Sequence, residues 1–579
     1  HCPPDHRGTA ALEVVYRRDG EQVARNVQPL EVEPGRFTYD WLDRIMDRCA
    51  EAGIRVCLAT PSGAKPVWLS QAHPEVRRVN RRGRREPHQE RHNHCPTSPI
   101  YRRHVADIDS RLAERYGKHP ALALWHISNE VGGILGDCHC ELCHAAFRDW
   151  LRQRHGSIDA LNTAWWNRFW SHTVTAWDQI DSASCSHLDW RRFVSDQHID
   201  FIAAEAAILR RLAPGVPMTT NRMCIWPGLD DARLAPVVDV ISDDRYPLLH
   251  EGPDHQREAA ELAFRGDLMR GLKRQPWLML ESSPSATNWQ PLARLKRPGQ
   301  LRQEMLSALA HGADATMYFQ WRKGAGGGEK HHGAVVDHAG AGTRVFREVA
   351  AWGAELRTLA GLRGQAVHAP VALLHDWEAR WALEDSGGPG NWLTAQGHDD
   401  RGYLATVLAH HRAVTELSLG CDVLPPHGEL AGHQLAILPR LYLVDGDLPQ
   451  RLRAFAEGGG VVLATCGTGT VDRHNRCHRG GWPGAGLRAL CGVWVEEVDC
   501  LRADERQELV PVAGNALGLD AALPTGRILD LMHAEDAEVL ATYGRDFYAG
   551  RPALTRRRVG AGWVYWLAPL LETAGYRTL

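Results

Sequence analysis

The 579-residue sequence predicts an α/β protein. A (β/α)8 TIM barrel leads, a further α/β part follows, and a small β-sandwich-like part ends the chain. Three observations predict this. Amphipathic helices alternate with short, near-continuously apolar strands over roughly the first 340 residues, the pattern of a parallel sheet covered by helices. Polar residues gather just after those strands, on the rim where barrels carry their sites. The pattern then changes near 366 and again near 505. The expected parts are therefore 1–362, 363–505 and 506–579.

Taken in order, DWLDRIMDRCAEAG (40–53) puts Trp41, Leu42, Ile45, Met46 and Cys49 on one helical face, with Asp40 as N-cap and Gly53 as stop. The strand IRVCLATP follows. A helix over 99–116 leads into ALALWHISNE, and one over 191–212 leads into PMTTNRM and then VVDVISDDRYP. Helices over 255–273 and 300–311 lead into PWLMLESSP and ATMYFQWR. Helix 343–361 closes the unit, with Val345, Val349, Trp352, Leu356 and Leu359 as its buried stripe. Beyond it, APVALLHD, HQLAILPRL and GGGVVLATC read as strands, with helices near 400–413 and 447–457. The runs EVLATYG and RPALTRRRVGAGWVYWLAP give the last part its β character. No repeat of roughly 20–50 residues is present.

Composition excludes several classes. Hydrophobic residues make up 44% and charged residues 24%, the balance of a globular protein. The net charge of -3 argues against a general nucleic-acid or membrane-surface binder. No run of about 18 apolar residues is long enough to span a bilayer, and no secretion signal is visible at the start, so a cytoplasmic location is expected. The run Arg77, Arg78, Arg81, Arg82, Arg84 and Arg85 lacks aromatic interleaving and reads as a solvated loop.

Fourteen cysteines without a signal read as reduced thiols, mostly small core residues. One group differs. Cys138, Cys140 and Cys143 form C-x-C-x2-C, a spacing that lets three thiolates converge on a tetrahedral ion. Cys95 in HNHCPTSP is the leading candidate for the fourth ligand, and four protein ligands would make the site structural rather than catalytic. Cys466 in ATCGTG lacks the small-residue spacing of a nucleophile elbow and reads as a core thiol.

Two glutamates end predicted barrel strands, Glu130 after Asn129 and Glu281 in PWLMLE. A carboxylate leaving an apolar strand must be solvated, paired or used. Singly, each is equally well explained by a salt bridge. Together on one rim they suggest an acid and a nucleophile for glycoside cleavage. Trp125, Tyr246, Trp289, Phe319 and Trp321 offer faces for sugar rings, although each alone is more often core. GEKHH adds Glu329, His331 and His332 in a glycine-rich loop.

Several motifs together carry a resemblance: WHISNE, the following C-x-C-x2-C, FRDWLRQRHGSIDALNTAWWNRFWS, LESSPSATNW, FQWRKGAGGGEKHH and RHNHCPTSPIYRRH. The chain resembles the β-galactosidases of glycoside hydrolase family 42, in clan A, over about residues 32–579. The resemblance implies a barrel, a Rossmann-like, glutamine-amidotransferase-like α/β trimerisation domain and a small β domain. It implies Glu130 as acid/base and Glu281 as nucleophile, with Asn129 near the sugar 2-hydroxyl. Arg91, Tyr246, Trp289, Glu329 and His332 match galactose-binding positions, and Cys95, Cys138, Cys140 and Cys143 match four zinc ligands. A homotrimer, a structural zinc ion and no organic cofactor are implied as well. The expected reaction is retaining hydrolysis of terminal β-D-galactosyl residues of lactose or galacto-oligosaccharides, with carboxyl groups about 5–5.5 Å apart.

Three features depart from the family pattern. TAALEVVYRRDGEQVARNVQPL offers no good first barrel strand, because charges break its alternation. Asp244 and Arg245 stand where a less charged pair is expected, and the β part ends early at Leu579. Two other functions compete: a catalytically impaired galactoside-binding or assembly protein, and a clan-A hydrolase of other glycosides such as β-glucosides or α-L-arabinopyranosides.

Overall fold

Helix Asp40–Glu51 forms as expected, with Trp41, Leu42 and Met46 buried. Its start differs by one residue. Tyr39 occupies the N-cap without a side-chain bond, and Asp40 is the first helical residue, where its charge faces the positive end of the helix dipole. Gly53, at φ 65°, ends the helix in the left-handed region. The computed structural model describes residues 17–18, 21–22, 30–88, 91–132, 136–183, 186–223, 225–249, 255–397 and 401–579.

The apolar runs of the first half pair in parallel, in chain order. Val56–Ala59 lies beside Leu122–His126, which lies beside Met218–Thr219. Past Thr220 the same strand resumes as Asn221–Arg222, which pairs with Ser242–Arg245. Trp277–Ser282 and Ala313–Thr316 complete the series. Helices Pro99–Tyr116, His187–Leu212, His255–Lys273 and Gln300–Ala310 lie between these strands in sequence, the βα alternation of a barrel. The core beneath Asp40–Glu51 joins Leu112, Tyr116, Trp125, Ile127, Ile202 and Met218. Trp125, offered above as a sugar-stacking ring, is fully buried there and has no free face. The expectation about the first strand falls on residues 1–30, most of which lie outside the described residues.

The chain forms two compact units, residues 1–151 with 193–366, and residues 152–192 with 367–579. The segment 152–192, read above as part of the barrel stretch, groups with the second unit. Within it Asp189 pairs with Arg192 at 3.0 Å and with His155 at 2.9 Å. Burial works against the Asp189 charge, but His155, Arg192 and Arg154 outweigh it and hold the carboxyl below the usual range.

The second unit carries one nine-stranded sheet. Val371–Leu374, Cys421–Leu424, Leu435–Leu438, Val461–Thr465 and Gly562–Leu567 are parallel to one another, and Pro552–Val559, Glu538–Tyr543, Glu508–Pro511 and Leu523–Pro524 continue antiparallel. The C-terminal strands thus extend the α/β sheet, because Val461–Thr465 takes Gly562–Leu567 as its neighbour and leaves no free edge between the two parts. Val493–Cys500 and Ile528–Ala534 form a separate antiparallel pair. Among the described residues, no helix is long and apolar enough to cross a membrane.

Candidate active site

The strand Leu122–His126 runs into a turn in which Ser128 and Glu130 both adopt positive φ, 55° and 41°. Such backbone is costly for residues with a Cβ and persists where its surroundings hold it. Two bonds do so here. The Ser128 N–H donates to Thr60 Oγ1 at 2.7 Å, and the Glu130 N–H donates to Asn221 Oδ1 at 2.8 Å. The turn delivers the Glu130 carboxyl, 5% exposed, to the rim. Glu281 arrives on Trp277–Ser282 and is also 5% exposed. One carboxylate oxygen each from Glu130, Glu281 and Asp244 lie within 4.8 Å of one another.

Arg91 Nη2 donates to Glu130 Oε2 at 2.6 Å, and the Asn129 amide lies 3.4 Å from the same oxygen. Burial disfavours the Arg91 charge, but Glu130, Glu281, Glu329 and Asp244 outweigh it and raise its pKa. Tyr246 donates its hydroxyl to Glu281 Oε2 at 2.7 Å. Burial, then the Glu281 and Asp244 charges, push that phenol well above its usual range, so it stays a donor. Trp289, 52% exposed, meets the Tyr246 ring edge-on at 5.5 Å. His332 is edge-on to Tyr246 at 5.7 Å and to Phe319 at 4.8 Å, and its Nδ1 lies 2.9 Å from Asn288 Oδ1. Glu130, Glu281, Arg91, Asn129, Tyr246, Trp289, Glu329 and His332 thus share one neighbourhood, linked by direct contacts or, for Glu329, by its field on Arg91. Trp321 is exposed, and His331 is exposed beside buried His332.

Asn221 was missed by sequence reasoning. Its amide nitrogen faces Asp244 Oδ2 at 2.6 Å, Asn129 Oδ1 at 3.1 Å and Glu281 Oε1 at 3.2 Å, while its Oδ1 also meets His126 Nε2 at 2.8 Å. The available signal was a polar side chain ending an apolar strand in PMTTNRM, the criterion that found the two glutamates. The Asp244–Arg245 pair is also resolved. Side chains alternate along a strand, so Asp243 and Arg245 share one face and Asp244 takes the other. Arg245 packs over Trp277 at 4.3 Å and pairs with Asp243 at 3.2 Å, while Asp244 enters the site.

A second cluster lies in the same unit. Cys95, Cys138, Cys140 and Cys143 are all buried, with their sulfurs within 4.8 Å of one another. Cys95 Sγ lies 3.5 Å from Cys140 Sγ and 3.6 Å from Cys143 Sγ. Sulfurs around a tetrahedral ion with bonds of about 2.3 Å stand about 3.8 Å apart, so the four residues fit a metal ion. Thr97 Oγ1 at 3.3 Å and the Gln197 amide at 3.4 Å contact Cys143 Sγ. The loop around them is held by the basic run: Arg78 donates to the Gly136 carbonyl at 2.7 Å, and Arg77 donates to that of Glu86 at 3.0 Å. Cys466 is fully buried, and burial and the Asp530 charge push its thiol well up, the state of an inert core cysteine.

Two carboxyl groups facing each other across a gap of acetal size can protonate a leaving oxygen and attack the carbon it leaves. The class that such a barrel rim defines is the glycoside hydrolases. Within that class, the chain belongs to the β-galactosidases of glycoside hydrolase family 42: the family model described as "Beta-galactosidase" matches residues 25–359. The model described as "Beta-galactosidase trimerisation domain" matches residues 369–579. Among curated relatives, β-galactosidase BglY of Alicyclobacillus acidocaldarius is 46% identical over 95% of this chain and 79% of that protein. Pbg of Clostridium perfringens is 43% identical over 93% and 79%. Among solved structures, the β-galactosidase from Rahnella sp. R3 superposes with a TM-score of 0.90 at 44% identity, covering 95% of this chain and 81% of that one. Gan42B, a family 42 β-galactosidase from G. stearothermophilus, gives 0.89 at 40% identity, over 95% and 80%.

Proposed function

We propose that this β-galactosidase cleaves terminal non-reducing β-D-galactosyl residues with retention, by double displacement, with Glu281 as nucleophile and Glu130 as acid/base. The observation that carries the reading is the mutual placement of the two carboxyls. An oxygen of each group within 4.8 Å of the other favours the carboxyl separation of about 5–5.5 Å used by retaining enzymes over the separation of about 6.5–9.5 Å that admits a water between them. In the first step a Glu281 oxygen bonds to the anomeric carbon as the glycosidic C–O bond breaks, and Glu130 gives its proton to the departing oxygen. In the second step Glu130 takes a proton from water, the water oxygen bonds to the same carbon, and Glu281 leaves.

Tyr246 and the Asn221 amide orient the Glu281 carboxylate through the contacts given above. Arg91, Asn129, Glu329 and His332 are the groups proposed to hold sugar hydroxyls, and Trp289 offers an exposed ring for the apolar sugar face. The four cysteines are proposed to hold zinc, which would supply a structural cross-link and no chemistry. The working division is a catalytic barrel over 1–362, an assembly part over 363–505 and a C-terminal β part over 506–579. The trimerisation-domain match supports a homotrimer, which sedimentation analysis tests. A cytoplasmic location belongs to the same reading, since Cys49, Cys57, Cys421, Cys477, Cys491 and Cys500 carry free thiols, and cell fractionation checks it.

Hydrolysis of a nitrophenyl glycoside panel tests the function. Galactosides should be turned over well ahead of glucosides and arabinopyranosides. Glu281→Gln should lose nearly all activity, and near-wild-type turnover by that variant overturns the assignment. Glu130→Ala should lose most activity, and azide should restore part of it as a β-galactosyl azide. An α-configured azide, or no rescue, overturns the acid/base role.

A further inference from the structure

Asp244 is a third carboxyl in the site, and the two-glutamate mechanism does not use it. It is 2% exposed. Its Oδ2 receives the Asn221 amide at 2.6 Å, while its Oδ1 is buried and, among the described residues, receives no N–H or hydroxyl. An oxygen of this carboxyl lies within 4.8 Å of one from Glu130, with the Asn221 amide as its donor on the other side. In register it stands opposite Glu281 on the adjacent strand. Buried carboxyls this close disfavour one another's charge, so a proton is retained among the three, and two of them can share it.

Arg91 gives this proton its importance. A guanidinium 2.6 Å from Glu130 Oε2 favours loss of the proton that Glu130 must donate. Asp244 and Glu281 act in the opposite direction. The other charges near Asp244 are accounted for: Asp243, on the same strand, is neutralised by Arg245 at 3.2 Å and Arg265 at 3.0 Å, and Arg265 also contacts the Asp244 carbonyl. Tyr246 is a neutral phenol turned to Glu281.

We propose that Asp244 is a positioning residue that shares a proton with Glu130 and so keeps the acid loaded against the pull of Arg91. The proposal rests on Glu130 being the acid. Burial first, then the Glu281 and Glu130 charges, push Asp244 well above the usual carboxylate range, in keeping with a protonated group.

The test is the pH profile of kcat/KM on an aryl β-galactoside with a poor leaving group. Asp244→Asn keeps shape and removes the titrating group. Its alkaline limb should move down by about one pH unit, so that activity relative to wild type falls about tenfold more on the alkaline side than at the acid optimum. A fall equal at all pH values marks a structural role and overturns the proposal. If Asp244→Asn does not fold, Asp244→Glu carries the test: it should keep the alkaline limb whatever its kcat, and a shifted limb overturns the proposal. A galactoside with an activated leaving group, which needs no acid, should lose the effect, and an identical shift on it also overturns the proposal. The two readings fail separately. Azide rescue of Glu130→Ala with an unshifted Asp244→Asn profile removes only the role of Asp244, whereas failure of the rescue removes the acid assignment itself.

Discussion

Asn221 and Glu130 come from different strands, yet the Asn221 side-chain oxygen receives the Glu130 backbone N–H at 2.8 Å and holds Glu130 in a left-handed conformation. The same amide reaches Glu281 from its nitrogen, so one side chain references both carboxyls to each other. Replacing it by alanine removes the acceptor and leaves a buried N–H unsatisfied, at a cost of about 1–3 kcal/mol. We expect Asn221→Ala to lower kcat about 10–100-fold with a smaller change in KM. Steady-state kinetics with a melting control decides, and a loss confined to KM would contradict a role in aligning the two groups.

Thr60 extends this support. Its hydroxyl receives Ser128 N–H and donates to Glu205 Oε2, each at 2.7 Å, and Ser62 donates to the other Glu205 oxygen at 2.7 Å. Thr60→Val removes both links while keeping shape. The expected outcome is a loss of roughly 1–2 kcal/mol in stability and a several-fold lower kcat, measured by denaturant unfolding and by turnover.

Tyr246→Phe removes a hydroxyl donated to the proposed nucleophile. Hydrogen bonds to charged groups contribute about 1.5–3 kcal/mol, so kcat should fall about 10–100-fold. Burst kinetics with a dinitrophenyl galactoside would locate the loss in formation or breakdown of the glycosyl-enzyme.

Metal content is directly measurable. Purified protein should carry close to one zinc per chain, and less than about 0.2 would remove the four-cysteine assignment. Chelation, or Cys143→Ser, should lower Tm by several degrees and reduce activity only as the fold is lost.

Asp530 links the second unit to pH. Buried beside Cys466 Sγ at 3.4 Å and the Gly467 N–H at 3.0 Å, it is pushed up to about 7, chiefly by burial. Its unfolded value is near the ordinary 3.8. The native state therefore holds this proton more tightly, and the resulting stability is full below about pH 4 and lost as pH rises through about 7. Against Asp530→Asn, wild type should lose of order 2–4 kcal/mol between those limits. Denaturant titrations at both ends measure it, and parallel curves would contradict the assignment.

The elements most legible in the sequence were those whose physics is local. Helical spacing located Asp40–Glu51, and apolar runs located the strands that carry Glu130 and Glu281. Cysteine spacing located the thiol cluster, since three of its members lie within six residues of one another. Resemblance added the roles. Period-two alternation could have assigned Asp243 and Arg245 to one face and Asp244 to the other, but only strand pairing reveals which face is the site.

Long-range contact decided the rest. The sequence by itself determined the α/β class, the rim on which function sits and the residue types that perform it, because these follow from periodicity and from the cost of a carboxylate at the end of an apolar strand. Tertiary structure alone decided that Asn221 joins Glu130 to Glu281, that Asp244 becomes a third carboxyl beside them, that segment 152–192 joins the second unit, and that the C-terminal strands extend an α/β sheet. The reason is sequence separation. Glu130 and Asn221 stand 91 residues apart and Asn221 and Glu281 another 60, and no local propensity records which strand ends meet across a rim.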